Sequence, residues 1–482
     1  MNAYGTTLGS TPRLTGPAAQ VLDKYTLEPF ATVHESDADA VKAAVDAAHA
    51  AFLSSDLTPT RRYEILSRTA DLVRQRHDEL VETMVAETGF TIKDCASDVS
   101  RSVQTLTISA EEAKRLNGEM VPFAGAPGQE NRLGFTLRVP LGVVCAITPF
   151  NSPLNTVAHK VAPAIAAGNT VVVKPSMYTP VSTAKLAEML YEAGLPDGHM
   201  TVVFGSGETV GTQLVADERI AFYAFTGSTQ VGAAISQGAG LRRTQLELGS
   251  IASTIVMSDA DLASVATKVT AAAFRKAGQV CTSVQRLFVQ RDVVDEVIAL
   301  LTSAIGRLKV GDPRSPDTDV GPMISVREAE RVESWVSKAV DAGAKLHTPL
   351  ERVGPVLSPV LLSEVDASTE VHCREVFGPV LTLYTFETLD EAISGVNDSP
   401  YGLSSGIFTN DIEAAFRAAR QIQTGVVQIN ESSSSRVDLM PFGGTKDSGH
   451  GKEGPYYAMR EMSEERLIVI NLKGQHGDRG GK

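Results

Sequence analysis

The chain has 482 residues, of which 43% are apolar and 21% charged, and its formal net charge is -13. This composition predicts a globular protein of two or three domains and argues against a disordered chain. The acidic balance argues against nucleic acid as a partner. The lack of a run of 18 apolar residues argues against a membrane span, and residues 1–16 do not have the pattern of a secretory signal.

The N-terminal part of the chain is predicted to be mostly helical. Residues 1–16 show no periodic pattern, so we expect an irregular segment on the surface. Apolar residues at three- and four-residue spacing predict a helix from Asp37 onward. The same spacing, with a proline start and glycine stops, predicts a long helix over 59–88 and another over 94–117.

Short valine-rich runs then alternate with helical stretches. The predicted strands are 142–148, 169–176, 199–205, 220–228 and 243–249, and the predicted helices are 156–167, 180–193, 208–217 and 229–238. Strands that are apolar throughout and separated by helices predict a parallel sheet covered on both faces, as in doubly wound nucleotide-binding folds. The alternation continues through 253–257, 286–290 and 424–430, which predicts a second α/β lobe.

Two further stretches, 133–142 and 464–473, alternate like exposed strands that belong to neither sheet. Strands without a sheet of their own usually pair with a neighbouring subunit or domain. We therefore expect a homodimer or a homotetramer.

The chain has four cysteines, and their spacing fits neither a metal site nor a disulfide framework. We expect a reducing compartment, the cytoplasm, and no bound metal. The cysteines are Cys95, Cys145, Cys281 and Cys373. Cys281 follows a Gly-Gln step in "GQVCTS", where it is either a small buried apolar side chain or a nucleophile held as thiolate at an exposed turn.

Two polar side chains could serve a nucleophile at Cys281. Glu247 ends an apolar strand, where burial would raise its pKa towards that of a working base, although a surface acid is the alternative. Asn151 lies between two prolines and could donate to an oxyanion, although turn chemistry explains it equally well. The glycines of 225–229 and 205–211 suit a pyrophosphate at a helix N-terminus, but neither has the dinucleotide-fingerprint spacing.

Eight ordered motifs resemble the signature blocks of the aldehyde dehydrogenase superfamily, over about residues 20–470. They are "TPFNSPLN" (148–155), "KPS" (174–176), "FTGST" (225–229), "LELGS" (246–250), "GQVCTS" (278–283), "EVFGPV" (375–380), "NDSPYGLSSGIF" (397–408) and "PFGGTKDSG" (441–449). The resemblance implies an α/β fold with two doubly wound parallel-sheet lobes and a β-strand oligomerisation arm. It implies an NAD(P)-binding domain at 1–118 and 143–248, a catalytic domain at 249–440, and bridging or oligomerisation segments at 119–142 and 441–482.

The resemblance also implies the reaction and its residues. Cys281 attacks the aldehyde carbonyl, and Asn151, with the Cys281 backbone N–H, holds the oxyanion. Hydride then leaves for the nicotinamide, and Glu247 activates the water that hydrolyses the resulting thioester on Cys281. Two alternatives are a CoA-acylating semialdehyde dehydrogenase, which tends to lack a glutamate at this position, and a non-catalytic structural protein of the same fold.

The resemblance places NAD or NADP in the first lobe. Lys174 is expected at the adenosine ribose, Ser228 at the pyrophosphate, and Glu375 with Phe377 at the nicotinamide ribose. The other expected contacts are Thr148, Pro149, Phe150, Ser176, Met177, Gly207, Gly211, Phe225, Thr226, Gly227 and Leu248.

Three positions depart from the family pattern. Met177 stands where NAD-preferring relatives commonly carry an acid, and its loss removes both a ribose hydrogen bond and the repulsion of a 2′-phosphate. We therefore expect NAD or NADP, with a slight preference for NAD. Phe150, where many relatives have tryptophan, and Ile251, after the base, change no reacting atom.

The blocks 98–119 and 157–169 resemble the branch of lactaldehyde, glycolaldehyde and phosphonoacetaldehyde dehydrogenases. In the phosphonoacetaldehyde enzymes, residues matched by Arg101 and His159, with an arginine just before the nucleophile, hold the phosphonate. Here Val280 stands in that third place, and Arg436 lies near the expected pocket mouth. The alternatives are an ion-paired Arg101, a helix-packing His159 and a solvated Arg436. We expect a small aldehyde, anionic or hydroxylated.

Overall fold

Runs of β-branched residues form the centres of two sheets in the computed structural model, which describes residues 2–472. Such residues favour strands because they pack well on a pleated surface. The strands Val143–Ile147 and Thr170–Lys174 are buried along their whole length, so helices cover both faces of their sheet. The predicted α/β class is confirmed. Met1 and residues 473–482, including the end of the predicted 441–482 segment, lie outside the described residues.

The first sheet has eight strands. In spatial order they are Gly449–His450, Arg243–Glu247, Ile220–Thr226, Val143–Ile147, Thr170–Lys174, Met200–Val202, Thr6–Thr7 and Pro12–Arg13. The five middle strands are parallel, and the three short edge strands pair antiparallel. The order along the chain reverses between Val143–Ile147 and Ile220–Thr226, which makes a switch point in the topology.

The second sheet has seven strands, and the loop that contains Cys281 connects two of them. In spatial order they are Lys345–Leu346, Val360–Ser363, Val380–Phe386, Arg286–Gln290, Ser253–Val256, Ser404–Phe408 and Val426–Ile429. All pairs are parallel except the one that Lys345–Leu346 makes.

Four small sheets complete the strand inventory of residues 2–472. They are Asn2–Tyr4 with Pro29–His34 and Ala18–Leu22, Arg352–Val353 with Val356–Leu357, Tyr401–Gly402 with Thr445–Lys446, and Ser463–Asn471 with Arg132–Pro140 and Met120–Val121.

Helices cover the sheets and connect their strands. The α-helices are Ala38–Ser54, Pro59–Gln75, His77–Thr88, Ile92–Ala113, Asn155–Ala167, Val181–Glu192, Thr212–Ala216, Thr229–Ala239, Leu262–Phe274, Val294–Ile305, Val326–Asp341, Glu370–Cys373, Leu389–Asn397, Ile412–Gln421 and Pro455–Glu461. Short turns of 3₁₀-helix occupy Phe123–Gly125, Arg275–Gly278 and Arg291–Val293, and a π-turn occupies Gly207–Gly211. Within residues 2–472, no helix is long and apolar enough to cross a membrane.

The N-terminal segment departs from expectation. Residues 1–16 were expected to be irregular, but Asn2–Tyr4, Thr6–Thr7 and Pro12–Arg13 are strands that pair with distant parts of the chain. Strands of two or three residues are too short to show a period-two pattern, so the sequence carries no signal for them.

Three predicted helices have different limits in the structure. The helix predicted over 59–88 is broken at Arg76, whose φ of -99° and ψ of 24° are not helical. The helix predicted over 94–117 begins earlier, at Ile92, because the Thr91 hydroxyl accepts the Asp94 N–H at 3.2 Å and caps it, and it ends at Ala113. The helix predicted over 208–217 starts with the π-turn.

The two strands predicted outside both sheets do lie outside them, and they pair with each other. Ser463–Asn471 runs antiparallel to Arg132–Pro140 along its whole length. We name this ribbon, with Met120–Val121 on its other side, the arm. Its outer edge at Ser463–Asn471 has no pairing strand within residues 2–472, and its apolar side chains Leu137 and Leu467 are exposed.

A single buried amide fastens the base of the arm to the body of the protein. The Asn169 Oδ1 accepts the N–H groups of Leu141 and Gly142 at 2.8 and 3.0 Å. Its Nδ2 donates to the carbonyl of Met462 at 2.8 Å, just before the second arm strand.

We predict that Asn169→Ala lowers the free energy of unfolding by about 3 kcal/mol, because it leaves two buried donors and one acceptor unpaired. The shift of the urea midpoint at unchanged m-value measures this. Asn131→Ala is the matched control in the same arm, since the Asn131 side chain is exposed. An equal midpoint for both variants would contradict the role of Asn169.

Candidate active site

Several predicted site residues lie at the switch point of the first sheet. Thr148, Pro149 and Phe150 directly follow the strand Val143–Ile147, and Gly227 and Ser228 follow Ile220–Thr226. In open α/β sheets, ligands bind outside the carboxyl ends of the strands at such a point. The topology therefore brings the predicted cofactor residues to one cleft.

Lys174, which ends the next strand, has the features of a ligand-binding side chain. It is 6% exposed, and its ammonium group has no hydrogen-bond or ion-pair partner in the part of the chain that the structure describes. Burial lowers the pKa of Lys174 to about 8. A Cβ on Gly211 would lie 4.0 Å from Lys174 Cε, and a Cβ on Gly207 would touch nothing within 4 Å. A buried cation beside open space fits the ribose hydroxyls of a dinucleotide.

The helix Thr229–Ala239 begins at the same cleft. The Ser228 hydroxyl caps it by accepting the Val231 N–H at 3.4 Å, which leaves the preceding amides of the first turn for an anion. The buried Thr148 hydroxyl also has no hydrogen-bond partner in the described structure. These groups fit a pyrophosphate and the adjoining sugars.

Other predicted cofactor residues have supporting positions. Phe225 and Leu248 are buried. A Cβ on Gly227 would lie 2.5 Å from the Phe225 ring, and a Cβ on Gly232 would lie 2.3 Å from the Leu248 side chain. Thr226 ends its strand beside Glu247. Ser176 accepts the Tyr178 N–H at 3.2 Å, and Met177 packs on the core together with Phe150.

Aromatic rings lie on both sides of the cleft. Phe150 contacts Tyr178 and Phe377 edge-on, with ring centroids 6.0 and 5.8 Å apart. Phe377 has a φ of 50°, a left-handed conformation that is strained for a non-glycine residue and that surrounding packing must maintain. The neighbouring Glu375 accepts the Ser250 N–H at 2.9 Å, and burial raises its pKa to about 7.

The loop that carries Cys281 has an unusual backbone. Lys276, Ala277 and Gly278 have φ values of 52°, 52° and 69°, all left-handed. A Cβ on Gly278 would lie 2.1 Å from the carbonyl oxygen of Gly378, so only glycine fits at this position. The sequence therefore requires a tight turn directly before the nucleophile.

A buried ion pair fastens this loop to the loop of Asn151. The Lys276 ammonium donates to Asp98 Oδ2 at 3.1 Å and to the Asn151 carbonyl at 2.9 Å. Asp98 also accepts the Ser152 hydroxyl and the Asn155 N–H. The Asn151 Nδ2 donates to the Gln279 carbonyl at 3.0 Å. The amide thus lies against the nucleophile loop, and its second N–H remains for an oxyanion.

Cys281 is partly exposed, but it is not held as a thiolate. Burial raises its pKa to about 12, and the carboxylates of Glu375, Glu247 and Glu453 add to the effect, while Arg436 opposes it. Burial first, and then the acidic neighbours, favour the neutral thiol in this state. The thiol needs a base before it can attack.

Glu247 is a buried carboxyl without a partner. It is 3% exposed, and neither carboxyl oxygen has a hydrogen-bond partner in the described structure. Burial, and then the charge of Glu453, raise its pKa well above the ordinary value, while Lys160 and Arg436 oppose this. The surface-acid alternative does not fit. A buried carboxyl with free oxygens and a raised pKa is poised to exchange a proton.

A buried charge cluster surrounds this carboxyl. The Glu453 carboxylate accepts from Lys160 at 2.9 Å and from Arg436 at 2.8 Å. Burial alone would raise the pKa of Glu453, but these two cations outweigh it and keep the carboxyl ionised. Arg436 is therefore not a solvated loop arginine, and its guanidinium also lies 3.9 Å from the Phe442 ring centroid.

Arg101 and His159 meet at one carboxylate. Arg101 donates to Asp438 through Nε and Nη2 at 3.2 and 2.6 Å, and His159 Nε2 lies 2.9 Å from the same group. Burial lowers the pKa of His159, which favours the neutral ring. The structure thus brings these two predicted residues together, and the ion-paired alternative for Arg101 holds.

Sequence reasoning missed Asp98, Lys276, Asp438 and Glu453, and it also missed Arg275. The Arg275 Nη2 donates to the Ser434 hydroxyl at 2.7 Å. Arg275 and Lys276 directly precede the "GQVCTS" motif, and that adjacency was the available signal. The partners of Arg275 and Lys276 are distant in the sequence, so the sequence does not indicate these contacts.

Comparisons with known proteins agree with this geometry. The aldehyde dehydrogenase family model matches residues 14–468. The 3-sulfolactaldehyde dehydrogenase of Priestia aryabhattai is 46% identical over 469 residues, 97% of this chain and 98% of that protein. The lactaldehyde dehydrogenase of Methanocaldococcus jannaschii is 38% identical over 456 residues, 94% of this chain and 97% of that protein.

A solved structure agrees as well. The NADP-dependent glyceraldehyde-3-phosphate dehydrogenase of Bacillus halodurans C-125, complexed with NADP, has a TM-score of 0.95 to this chain at 34% identity, covering 98% of this chain and 100% of that one. The predicted fold and the predicted resemblance are both confirmed. The chain belongs to the aldehyde dehydrogenase family.

Proposed function

We propose that this chain oxidises a three-carbon 2-hydroxyaldehyde to the corresponding acid, with NAD or NADP as the hydride acceptor. One observation supports this chemistry. The Glu247 carboxyl is buried without a hydrogen-bond partner in the described structure, and its charge contributes to the raised pKa of the Cys281 thiol. The names of the three relatives support the substrate class, because 3-sulfolactaldehyde, lactaldehyde and glyceraldehyde 3-phosphate share a hydroxyl next to the aldehyde.

The first step needs a proton to leave the thiol. Glu247, when ionised, can take this proton, because its carboxyl oxygens have no hydrogen-bond partner in the described structure. The sulfur of Cys281 then forms a bond to the carbonyl carbon, and the carbonyl oxygen takes the negative charge. The free Asn151 N–H and the Cys281 backbone N–H stabilise that charge, which is worth about 3 kcal/mol per donor.

The second step is the oxidation. When bound, the nicotinamide supplies a hydride acceptor, and Lys174, Ser228 and Glu375 would hold the dinucleotide. The oxyanion collapses as hydride leaves the carbon, and Cys281 carries the acyl group as a thioester. This step transfers no proton, so the side chains only orient the reacting groups and exclude water.

The third step releases the acid. Glu247 first releases to solvent the proton that it took from the thiol, and then takes a proton from water while the oxygen bonds to the thioester carbon. The Cys281 sulfur leaves as a thiolate, which Glu247 reprotonates, and the carboxylic acid gives up the second proton. Aldehyde, water and oxidised nucleotide have then become carboxylate, reduced nucleotide and two protons. A CoA-acylating enzyme needs no such base, so the position of Glu247 favours hydrolysis, and a structural protein has no use for an unpaired buried carboxyl.

The cofactor is NAD or NADP. Met177 offers no carboxylate to repel a 2′-phosphate, and we keep a slight preference for NAD. We further propose that residues 1–118 and 143–248 form the nucleotide-binding domain and 249–440 the catalytic domain, joined by 119–142 and 441–482. The separate sheets of the two parts support this division. Four free cysteines support a cytoplasmic location.

We propose a homodimer or homotetramer built through the arm. The strand Ser463–Asn471 is an exposed edge with apolar side chains, and such edges recruit another strand or become covered. The arm therefore supplies a surface for a second copy of the chain.

Two variants test the chemistry. Cys281→Ala abolishes hydride transfer, and Glu247→Gln slows deacylation more than acylation, because the thiol proton can also leave to solvent whereas hydrolysis needs a positioned base. Stopped-flow absorbance of the reduced nucleotide with lactaldehyde should show a burst followed by a slow steady state.

Wild-type product analysis with and without CoA separates the alternatives. Free acid at equal rates supports hydrolysis, and acyl-CoA formed only with CoA would contradict it. An unchanged steady-state rate in Glu247→Gln would remove Glu247 from the mechanism.

The charge cluster predicts a pH shift. Arg436 lowers the pKa of Glu247, so Arg436→Gln raises it further. Because deacylation needs ionised Glu247, activity appears as pH rises through that pKa, and the acidic limb of the kcat profile should move up by about one pH unit. Arg291→Gln, at an exposed pair with Glu387, is the control and should not move the limb. A shift to lower pH would contradict the assignment.

The proposed role of the arm predicts that charges on its exposed apolar face dissociate the oligomer. The double change Leu467→Glu and Val469→Glu places charges on its exposed apolar side chains, and we expect subunits of 51.2 kDa by light scattering instead of a dimer or tetramer. Arg466→Glu, on the same strand, is the control and keeps the oligomer. A monomeric wild type would contradict the proposal.

A further inference from the structure

The loop that carries Glu375 needs contacts from outside itself to keep its shape. Residues 374–379 connect the short helix Glu370–Cys373 to the strand Val380–Phe386. Phe377, two residues after Glu375, has a left-handed φ of 50°. A non-glycine residue in that conformation is strained, and it persists only where the surrounding structure holds it. The side chains that bind this loop therefore determine where the Glu375 carboxylate lies.

Gln285 binds the loop on both sides of Glu375. Its side chain is buried, and its Oε1 accepts the Val376 N–H at 2.9 Å. Its Nε2 donates to the Arg374 carbonyl at 2.7 Å and to the Val371 carbonyl at 3.1 Å. A carboxamide offers one acceptor oxygen and two N–H donors, and the backbone of this segment uses all three. One side chain thus fixes the peptide groups directly before and directly after Glu375.

Gln285 is itself fixed to the centre of the second sheet. It directly precedes the strand Arg286–Gln290 and lies four residues after Cys281. Its backbone N–H donates to the Ala252 carbonyl at 3.0 Å. Its carbonyl accepts the N–H and the hydroxyl of Thr382 at 2.8 and 2.7 Å. The buried amide therefore transmits the position of the sheet, and of the segment after the nucleophile, to the loop.

Two further hydrogen bonds complete the placement of Glu375. Arg331, on the helix Val326–Asp341, donates to the Val376 carbonyl at 2.8 Å. The Glu375 carboxylate accepts the Ser250 N–H at 2.9 Å. The backbone after Glu375 is thus held at its N–H by Gln285 and at its carbonyl by Arg331, and the carboxylate is held at its own end.

We propose that Gln285 is a positioning residue, which holds Glu375 where its carboxylate meets the ribose at the nicotinamide end of a bound dinucleotide. This inference rests on the proposed NAD- or NADP-dependent oxidation and adds the group that aligns one half of the cofactor. Hydride transfer needs the nicotinamide close to the carbon on Cys281, and a misplacement of about 1 Å costs about 100-fold in rate. Lys174 and Ser228, expected at the other half of the cofactor, follow strands of the first sheet and do not contact Gln285.

The test measures binding of two nucleotides by isothermal titration calorimetry. NAD reaches both halves of the proposed site, whereas ADP lacks the nicotinamide and its ribose. Gln285→Met keeps the length of the side chain and removes its three hydrogen bonds. We expect the Kd of NAD to rise about tenfold, the scale of one hydrogen bond to a charged group, and the Kd of ADP to stay within about twofold. If the wild type prefers NADP, the matching pair is NADP and 2′,5′-ADP.

A double-mutant cycle separates positioning from general destabilisation. Glu375→Ala should also raise the Kd of NAD about tenfold, and the double variant should be no weaker than either single one, because Gln285 acts through Glu375. Thr348→Val is the matched control. It removes two buried hydrogen bonds from the same lobe, to the Pro359 carbonyl and from the Leu361 N–H. It should lower the urea midpoint without changing the Kd of NAD or ADP.

The outcomes separate this inference from the proposed function. If the wild type binds neither NAD nor NADP, both fall. If it binds the nucleotide but Gln285→Met weakens NAD and ADP equally, or if the losses from Gln285→Met and Glu375→Ala multiply, this inference alone is wrong. Should Gln285→Met fail to fold, Gln285→Asn, one methylene too short to reach the loop, takes its place. A loss selective for NAD then supports the inference, and an equal loss or no loss overturns it.

Discussion

The buried ion pair between Lys276 and Asp98 determines the geometry on which the candidate active site depends. It joins the Cys281 loop to the helix Ile92–Ala113, 178 residues away in the chain, and the same ammonium donates to the Asn151 carbonyl. Removing one partner of such a pair leaves a buried charge unbalanced, at a cost of about 3–5 kcal/mol. The Asn151 segment and the Cys281 loop are therefore held together by the same ion pair.

The same principle of paired charges explains why one carboxyl remains available for chemistry. Glu453 attracts both Lys160 and Arg436, so its own pKa is held low. Glu247 lies beside this cluster without a hydrogen-bond partner in the described structure, and its pKa rises. The two buried acids thus differ in pKa, because Glu453 forms ion pairs with both cations and Glu247 interacts with them only through their charge. Separated pKa values of this kind support the proposal that Glu453 is a structural acid and Glu247 the base.

The sequence predicted the sheets because their signals are local, whereas the roles of Cys281, Glu247 and Asn151 came from the family resemblance and remain predictions. Apolar runs identify buried strands, and Gly278 marks a turn before Cys281 that only glycine can make. Signals that depend on distant partners were not readable. The strand Thr6–Thr7 has no periodicity, and the raised pKa of Cys281 follows first from burial and then from carboxylates such as Glu375, which converge only in the fold.

The arginines show what matching positions alone leave out about charge compensation. Arg101 occupies the position that a family comparison assigns to the substrate, yet its charge is balanced by Asp438, 337 residues away. Arg275 carries no such motif, yet it lacks a carboxylate partner across residues 2–472. Binding depends on unbalanced charge and accessible donors, and both are properties of the folded neighbourhood. Which guanidinium lacks an acidic partner is visible only once the acids of residues 2–472 are placed in the fold.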